Sequence, residues 1–351
     1  MNGIMVDIKP LNKEMGQKVK AYVDNLTKPL GSLGRLEELA IQLAEITSED
    51  FPIVTPPGVI VFAADHGVVE EGVSAFPQEV TVQMVLNFLN RGAAINVFSK
   101  QIGAAFEVVD IGVAAEIAAE GAVHRKVRYG TANFCKQDAM TRQDVEKAIA
   151  VGYERAEAMI HQGCKCLILG EMGIGNTTSS SAILAVLSGQ EVSSLVGRGT
   201  GIPSEQIIHK QEVISLAIRE RQPDRMDPID IFAKIGGLEI AAMTGAMLAA
   251  AANRVPILVD GFICTIAALM AKEICHTASD YMIVGHRSVE PGHLIALQLL
   301  GKKPILDLDL RLGEGSGAAV AFPILQSATL MLKEMATFDS AGVSKEKEGD
   351  E

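Results

Sequence analysis

The segment Lys165-Cys-Leu-Ile-Leu-Gly-Glu-Met-Gly-Ile-Gly-Asn-Thr-Thr-Ser179 joins an apolar run to a glycine-rich turn and a Ser/Thr-rich stretch. A short apolar run bounded by glycine is typical of a strand that is buried on both faces. Glycines let the backbone approach a ligand closely, and free N–H groups at the start of a helix suit a phosphate. The segment therefore predicts a strand, a turn able to hold phosphate, and a helix; a tight turn without a ligand is the alternative.

The turn matches neither of the two common nucleotide-binding patterns. No Lys-Ser/Thr pair follows Gly175, so the turn is not a Walker A loop, and the glycines do not form G-x-G-x-x-G. A dinucleotide- or NTP-dependent enzyme is thereby disfavoured, although it stays an alternative reading of the same loop.

Strand-like runs and helix-like stretches alternate along most of the chain. The apolar runs are residues 59–64, 106–110, 165–169, 256–260, 281–285 and 305–309. The helical stretches include residues 77–91, 142–162, 179–187, 238–252 and 292–300. Such alternation indicates a parallel sheet covered on both faces. We therefore predict an α/β fold with a Rossmann-like domain built on a six-stranded parallel sheet.

Three regions are expected from the composition along the chain. Residues 1–50 read as N-terminal helices that form a small helical lobe, joined by residues 321–338, and residues 51–320 read as the Rossmann-like catalytic domain. The charged, Gly/Ser-containing tail, 339–351, is expected to be disordered.

Polar or glycine residues follow every predicted strand. Asp65-His66-Gly67 follows the first run, Asp260-Gly261 the fourth, and Arg311-Leu-Gly-Glu-Gly315 the sixth. Because parallel strands carry their ligands outside their carboxyl ends, we expect a site at this edge of the sheet. His66 and His286 also lie there, but a hydrogen-bonded structural role is the expectation for both.

Two acidic residues at this edge are candidates for chemistry. Glu314 stands between two glycines just before a helix, where a buried carboxylate would have a raised pKa and serve as a general base. A solvated loop residue is the alternative. Asp260 could accept ribose hydroxyls or simply be a turn residue, and the sequence favours neither. Asp307 and Asp309 face the same way along a strand, but no third ligand is near, so no metal is expected.

The overall composition excludes several classes of partner. The formal net charge of −12 repels nucleic acid and anionic membranes, so neither is an expected partner. The N-terminus lacks an apolar core of signal-peptide type, and the longest apolar run, 240–252, is too short for a bilayer of ~30 Å. The five cysteines form no C-x-x-C pair and indicate a reducing compartment. A cytoplasmic protein is expected, with 240–252 a buried helix that could reach a subunit contact.

The chain resembles the nicotinate-nucleotide:dimethylbenzimidazole phosphoribosyltransferases over nearly its whole length. Seven segments in the same order carry the resemblance: Lys28-Pro-Leu-Gly-Ser-Leu-Gly-Arg-Leu-Glu37, Ala64-Asp-His-Gly-Val68, Gly170-Glu-Met-Gly-Ile-Gly-Asn-Thr-Thr178, Lys234-Ile-Gly-Gly237, Met243-Thr-Gly245, Val259-Asp-Gly-Phe262 and Arg311-Leu-Gly-Glu-Gly-Ser-Gly-Ala318. The resemblance implies transfer of the phosphoribosyl group of nicotinate mononucleotide to 5,6-dimethylbenzimidazole, without a metal or other cofactor, by a homodimeric enzyme.

The same resemblance implies roles for individual residues. Glu314 would accept the benzimidazole proton while the other ring nitrogen attacks C1′ of the ribose with inversion. The nucleotide and its phosphate would be held by Glu171, Gly173, Ile174, Gly175, Asn176, Lys210, Asp260, Ser288, Arg311, Leu312 and Gly313. Among these, Asp260 would bind the ribose hydroxyls.

One stretch departs from the best-known members of that family. Where they carry a polar Ser and Gln around the benzimidazole, this chain places Phe76 and Met84, with Gln78 or Gln83 as the available polar replacement. The base pocket is therefore expected to comprise Phe76, Gln83 and Met84, and the accepted base stays open. A non-catalytic nucleotide-binding protein is the remaining alternative, which a test of Glu314 would decide.

Overall fold

The computed structural model describes residues 7–197 and 204–344. The strands, in chain order, are β1 Pro57–Ala64, β2 Ala105–Gly112, β3 Val123–His124, β4 Cys166–Met172, β5 Ile257–Val259, β6 Met282–Val284, β7 His286–Arg287 and β8 Leu306–Asp307. The first six form one sheet in the order β3-β2-β1-β4-β5-β6, and β7 pairs with β8 in a second sheet. All of these pairings are parallel. This confirms the predicted α/β fold.

Thirteen α-helices of four residues or more lie in the described part of the chain. They are α1 Lys13–Asp24, α2 Arg35–Thr47, α3 Val80–Leu89, α4 Ala94–Gln101, α5 Arg142–His161, α6 Asn176–Ser188, α7 Ser204–Arg221, α8 Pro228–Ile235, α9 Leu238–Ala252, α10 Phe262–Ile274, α11 Pro291–Leu300, α12 Ser316–Glu334 and α13 Phe338–Ala341. Within the described residues, none of the helices is both long and apolar enough to cross a membrane.

The strand order creates a crevice between β1 and β4. The chain moves from β1 outward through β2 to β3 on one side, then returns to β4 and continues outward to β6 on the other. In open α/β sheets, this reversal separates the loops after the two central strands and leaves a crevice where ligands bind. The loops that meet there begin at Asp65, after β1, and at Gly173, after β4.

One predicted strand does not belong to the main sheet. The apolar run 305–309 predicts the sixth strand, but only Leu306 and Asp307 pair, and they pair with His286 and Arg287. The main sheet is completed instead by β3, beside β2. The reason is that the chain continues past β6 through Gly285 into β7, and residues 305–309 run alongside that continuation.

Two apolar cores lie on the two faces of the sheet. Successive residues of β1 alternate between them: Ile60 and Phe62 enter one core with α5, α9 and α10, whereas Val59 and Val61 enter the other with α2, α3 and α12. All eight residues of β1 are buried. The continuous apolar runs in the sequence thus reflect burial on both sides.

Helices α5 and α9 approach each other closely because glycines face the contact. A Cβ on Gly152 would lie 1.8 Å from the Ala242 carbonyl oxygen, and one on Gly245 would lie 1.9 Å from the Ile149 carbonyl oxygen. Almost all of α9 is buried within its own chain. The prediction of a buried helix is therefore confirmed, and its apolar sequence needs no subunit contact to explain it.

The N- and C-terminal helices contact each other, and the division into a helical lobe and a catalytic domain stays a prediction. Helix α1 packs on α2, α2 packs on α12, and Leu26 forms an isolated bridge with Thr337. Helix α12 begins at Ser316, earlier than the residue 321 expected for the lobe, so one helix runs from the sheet edge into the helical layer. The expected disordered tail starts with the short helix α13, which departs from that prediction, and residues 345–351 lie outside the described residues.

Candidate active site

The glycine turn after β4 packs directly on the end of β1. A Cβ on Gly173 would lie 2.3 Å from the Ala64 carbonyl oxygen, and Gly175 adopts a left-handed φ of 98° as the N-cap of α6. The backbone N–H of Ile174 donates to Thr81 Oγ1 at 3.1 Å. Among the residues predicted to hold the nucleotide and its phosphate, Ile174 therefore has its backbone N–H already engaged in this conformation.

Lys210 brings a positive charge to the start of α6. Its side chain is buried, and its Nζ donates to Thr177 Oγ1 at 2.8 Å. Burial lowers the pKa of the Lys210 ammonium to about 8. A buried ammonium beside the first turn of a helix suits an anion, because both the charge and the helix N-terminus attract it.

Glu314 sits in a loop of three consecutive left-handed residues. Gly313, Glu314 and Gly315 have φ angles of 89°, 64° and 85°. A non-glycine residue in this region costs about 1–3 kcal/mol and persists at sites where the surroundings hold it. The loop rests on β4 at Gly170, where a Cβ would lie 2.1 Å from the Glu314 carbonyl oxygen.

The Glu314 side chain has the environment of a general base. It is 6% exposed, and its Oε2 is buried without a hydrogen-bond partner. Burial, together with the negative charge of Asp260, raises the pKa of Glu314 to about 7. A carboxylate with a pKa near neutrality can take up a proton at physiological pH.

Glu171 links the glycine turn to the Glu314 loop. One of its carboxylate oxygens accepts from the Asn176 side-chain amide, and the other lies 3.4 Å from the Glu314 backbone N–H that donates to it. Burial raises the pKa of Glu171 well above its ordinary value, and the charge of Glu239 adds to this. Both oxygens thus act as acceptors, one toward the glycine turn and the other toward the Glu314 loop.

Asp260 anchors the start of α12. Its Oδ2 accepts from the Gly315 N–H at 3.2 Å, and its Oδ1 accepts from the Ala318 N–H at 2.8 Å. His286 Nε2 lies 3.5 Å from Oδ1. Burial alone would lower the pKa of His286, but the hydrogen bond to Asp260 and its charge outweigh this and raise it. Asp260 therefore has a structural task at this edge in addition to any contact with a substrate.

Ser288 is held at the same edge through a histidine. Its backbone N–H donates to His293 Nδ1 at 2.8 Å, and His293 Nε2 lies 3.0 Å from Thr265 Oγ1. Burial lowers the pKa of His293 to about 4, so the ring is neutral at physiological pH and can accept at Nδ1. The Ser288 side chain is buried beside this loop.

The predicted base-binding residues are less enclosed than the acidic ones. Met84, on α3, is partly buried and packs on the core that contains Ile174 and Ala318. Gln83 is exposed, and Phe76 is 49% exposed. Arg311 and Leu312 are also exposed, directly before Gly313. The structure thus places Met84 against the apolar core on one face of the sheet, and Phe76, Gln83, Arg311 and Leu312 on the outer surface.

Some residues of this region were not predicted as parts of the site. Thr81 Oγ1 accepts a hydrogen bond from the Ile174 N–H, and Thr177 Oγ1 accepts one from the Lys210 ammonium. Thr177 belongs to the Ser/Thr-rich stretch of the glycine-loop motif and could have been found there, whereas Thr81 carries no signal in the sequence.

Two open clefts of the described surface are lined by other residues. One runs along α7 beside Glu71, and the other adjoins Gly31 and Glu37 in the helical lobe. Neither contains Glu314. We locate the site from its chemistry, since perturbed carboxyl groups and a phosphate-type turn meet only at the sheet edge among the described residues. The described residues also contain no cluster of three or more His, Cys, Asp or Glu side chains placed to hold a metal ion.

The sheet order, the helix-capping glycine turn and the buried carboxylate together define an α/β enzyme that acts on a nucleotide. A sequence model described as phosphoribosyltransferase matches residues 8–343. The nicotinate-nucleotide–dimethylbenzimidazole phosphoribosyltransferase of Chloroflexus aggregans is 51% identical over 97% of this chain and 97% of its own. The enzyme of the same name from Halalkalibacterium halodurans is 51% identical over 96% of this chain and 94% of its own.

A solved structure gives the same result. The crystal structure of the nicotinate-nucleotide–dimethylbenzimidazole phosphoribosyltransferase from Thermus thermophilus superposes with a TM-score of 0.91 at 43% identity, covering 96% of this chain and 100% of that one. The chain belongs to the nicotinate-nucleotide:dimethylbenzimidazole phosphoribosyltransferase family.

Proposed function

We propose that this enzyme transfers the phosphoribosyl group of nicotinate mononucleotide to 5,6-dimethylbenzimidazole or a related base, giving α-ribazole 5′-phosphate and nicotinate. The observation that carries the proposal is the buried Glu314 carboxylate, whose pKa of about 7 suits a general base at the sheet edge. The names of the relatives supply the substrates.

The chemical step needs one proton acceptor and a fixed geometry. One nitrogen of the base forms a bond to C1′ while Glu314 removes the proton from the other nitrogen. The bond between C1′ and the pyridinium nitrogen breaks, and its electron pair returns to that nitrogen, so nicotinate leaves without needing a proton. Attack opposite the leaving group inverts the β-linkage to α. Catalysis then rests mainly on positioning and on one base.

In this proposal the nucleotide phosphate binds at the glycine turn. Gly173, Gly175 and Asn176 would surround it at the N-terminus of α6, with the Lys210 ammonium as its counter-charge. Ser288 would complete this end of the site. The Ile174 N–H could join only if it left Thr81 Oγ1.

The ribose and the base would lie between this turn and Glu314. Glu171 connects the two loops. The carboxylate oxygens of Asp260 already accept the N–H groups of Gly315 and Ala318, so ribose hydroxyls would have to share these oxygens or displace the N–H groups. Arg311, Leu312 and Gly313 would border the nucleotide. Met84, with Phe76 and Gln83 outside it, would form the wall that contacts the base. That the enzyme is a homodimer, and that it is located in the cytoplasm, both stay predictions.

Product analysis by mass spectrometry tests the proposed function. The pure protein is incubated with nicotinate mononucleotide and an equimolar mixture of dimethylbenzimidazole, benzimidazole, adenine and a phenol. One dominant ribotide with free nicotinate would support the reaction and identify the base. Bound nucleotide without any ribotide would instead indicate a non-catalytic nucleotide-binding protein.

A further inference from the structure

A histidine and a glutamate form a fully buried pair behind the glycine turn. Strand β1 ends at Ala64, and His66 follows after Asp65. Glu239 lies in the first turn of α9. Both side chains are 0% exposed, and His66 Nε2 lies 2.7 Å from Glu239 Oε1. The sequence indicates only a generic structural role for His66, and the reaction described above uses neither residue.

The imidazole ring of His66 fills the space beside two glycine turns. A Cβ on Gly173 would lie 3.4 Å from His66 Cδ2, and one on Gly175 would lie 3.1 Å from His66 Cβ. On the other side, a Cβ on Gly237 would lie 2.5 Å from His66 Cε1. The ring is therefore packed between the phosphate-type turn and the turn that starts α9.

A second contact joins the helices next to these two turns. Ser179, in α6, donates its hydroxyl to the Ile235 carbonyl oxygen at 2.6 Å, directly before the Gly236-Gly237 turn. Ser179 is also buried. Helix α6, which follows the first turn, is thus tied through Ser179 to the end of α8, which precedes the second turn.

Packing alone does not account for the choice of a polar pair. Replacing both partners of a buried hydrogen bond by apolar groups of the same shape can be nearly neutral or stabilising. Moreover, His66 Nδ1 and Glu239 Oε2 are buried without hydrogen-bond partners, which adds a desolvation cost. A pair that is costly to bury, has directional geometry and touches three glycines indicates a positioning role.

We propose that His66 and Glu239 are positioning residues that hold the turns 173–175 and 236–237 in the conformation that receives the nucleotide phosphate. The hydrogen bond from His66 Nε2 to Glu239 fixes the side chain, whose ring packs beside Gly173 and whose Cβ packs beside Gly175. The functional half of this inference rests on the proposed phosphoribosyl transfer. Its structural half concerns the protein without substrate.

Two substitutions at one position separate the hydrogen bond from packing. Glu239→Leu keeps a similar volume but removes the acceptor, so the His66 N–H is left buried without a partner. Glu239→Gln keeps an acceptor oxygen for the His66 N–H. Glu107→Gln is the matched control, because Glu107 pairs with Arg155 in a largely buried ion pair at the opposite end of the sheet.

Hydrogen exchange on the full-length proteins without substrate tests the structural half. We expect Glu239→Leu to exchange faster than the wild type in peptides covering 170–178 and 234–240, and Glu239→Gln and Glu107→Gln to match the wild type there. Unchanged exchange in Glu239→Leu would overturn the proposal. So would equal acceleration in Glu239→Leu and Glu239→Gln, because the retained acceptor would then have no effect.

Steady-state kinetics tests the functional half. We expect Glu239→Leu to raise KM for nicotinate mononucleotide about tenfold while kcat stays within about threefold, because the displaced turn binds phosphate but does not carry the base. Glu239→Gln should restore KM. Equal KM in all variants would overturn the functional half. If the wild-type protein makes no ribotide, the proposed function fails, yet hydrogen exchange still decides whether the pair holds the turns.

Discussion

Asp260 holds the backbone that directly follows Glu314, although the two residues lie after different strands. Its two carboxylate oxygens accept the N–H groups of Gly315 and Ala318 at 3.2 and 2.8 Å. Its charge also contributes to raising the pKa of Glu314 to about 7, after the effect of burial. Asp260 therefore controls both the conformation of the Glu314 loop and the proton affinity of its side chain.

Substituting Asp260 by asparagine should alter both properties. The amide keeps one acceptor and loses the charge, so the pKa of Glu314 should fall and one backbone N–H should lose its partner. We expect the acid limb of the kcat–pH profile to move to lower pH, and the free energy of unfolding to fall by about 1–3 kcal/mol. Asp307→Asn, which removes one partner of an exposed ion pair with Arg287, serves as the control and should leave both unchanged.

The wild-type enzyme should lose activity on the acid side of neutrality. Glu314 must be ionised to accept a proton, and its pKa is raised to about 7 by burial and Asp260. Turnover should therefore be low below this pH, rise through it and level off above it. Initial rates at saturating substrates between about pH 5 and 9 measure this; a rate that is independent of pH from about 5 to 7 would contradict it.

Nucleotide binding should weaken at alkaline pH because Lys210 loses its positive charge. Because burial lowers its pKa to about 8, the free protein loses this positive charge as the pH rises through that value. We expect KM for nicotinate mononucleotide to increase above about pH 8. Lys210→Met should raise KM roughly ten- to hundredfold and abolish this alkaline increase, since charge-assisted hydrogen bonds contribute about 1.5–3 kcal/mol. An alkaline increase that persists in Lys210→Met would assign it to another group.

The close contact between α5 and α9 should tolerate no added methyl group. Gly245→Ala would bring a Cβ to 1.9 Å from the Ile149 carbonyl oxygen, which forces the helices apart. We expect it to lower the free energy of unfolding by about 3 kcal/mol or more, the upper end for overpacking, because the clash is with backbone. Gly103→Ala is the control: its Cβ meets open space, so only the left-handed φ of 66° opposes it, at about 1 kcal/mol. Denaturant unfolding compares the two, and equal losses would contradict the role of close packing.

The long elements could be predicted from the sequence because their burial leaves a pattern. Residues 238–252 are predicted as a helix with the observed bounds, Leu238–Ala252, since an apolar stretch follows Gly237. Strand β3 left no such pattern: it has only two residues, one half-buried and one exposed. Residues 305–309 do carry an apolar run, but the sequence does not reveal that β6 continues past Gly285 and offers them a separate partner.

The location of the site was predictable, whereas its internal bonding was not. Parallel strands present their carboxyl ends at one edge, so Glu171, Asp260 and Glu314 could be grouped from their places after predicted strands. The acceptor role of Asp260 toward α12 depends on how that helix packs. The His66–Glu239 pair joins residues 173 positions apart, and no local pattern links them.

The substitution Glu314→Gln tests the role of the general base most directly, with turnover and nucleotide binding measured on the same preparation. The amide keeps the size of the side chain but cannot take the proton. We expect kcat to fall by about 10²–10⁴-fold while the dissociation constant for nicotinate mononucleotide, measured by calorimetry, changes by less than about threefold. Near-wild-type turnover in Glu314→Gln would contradict the assignment of Glu314 as the base.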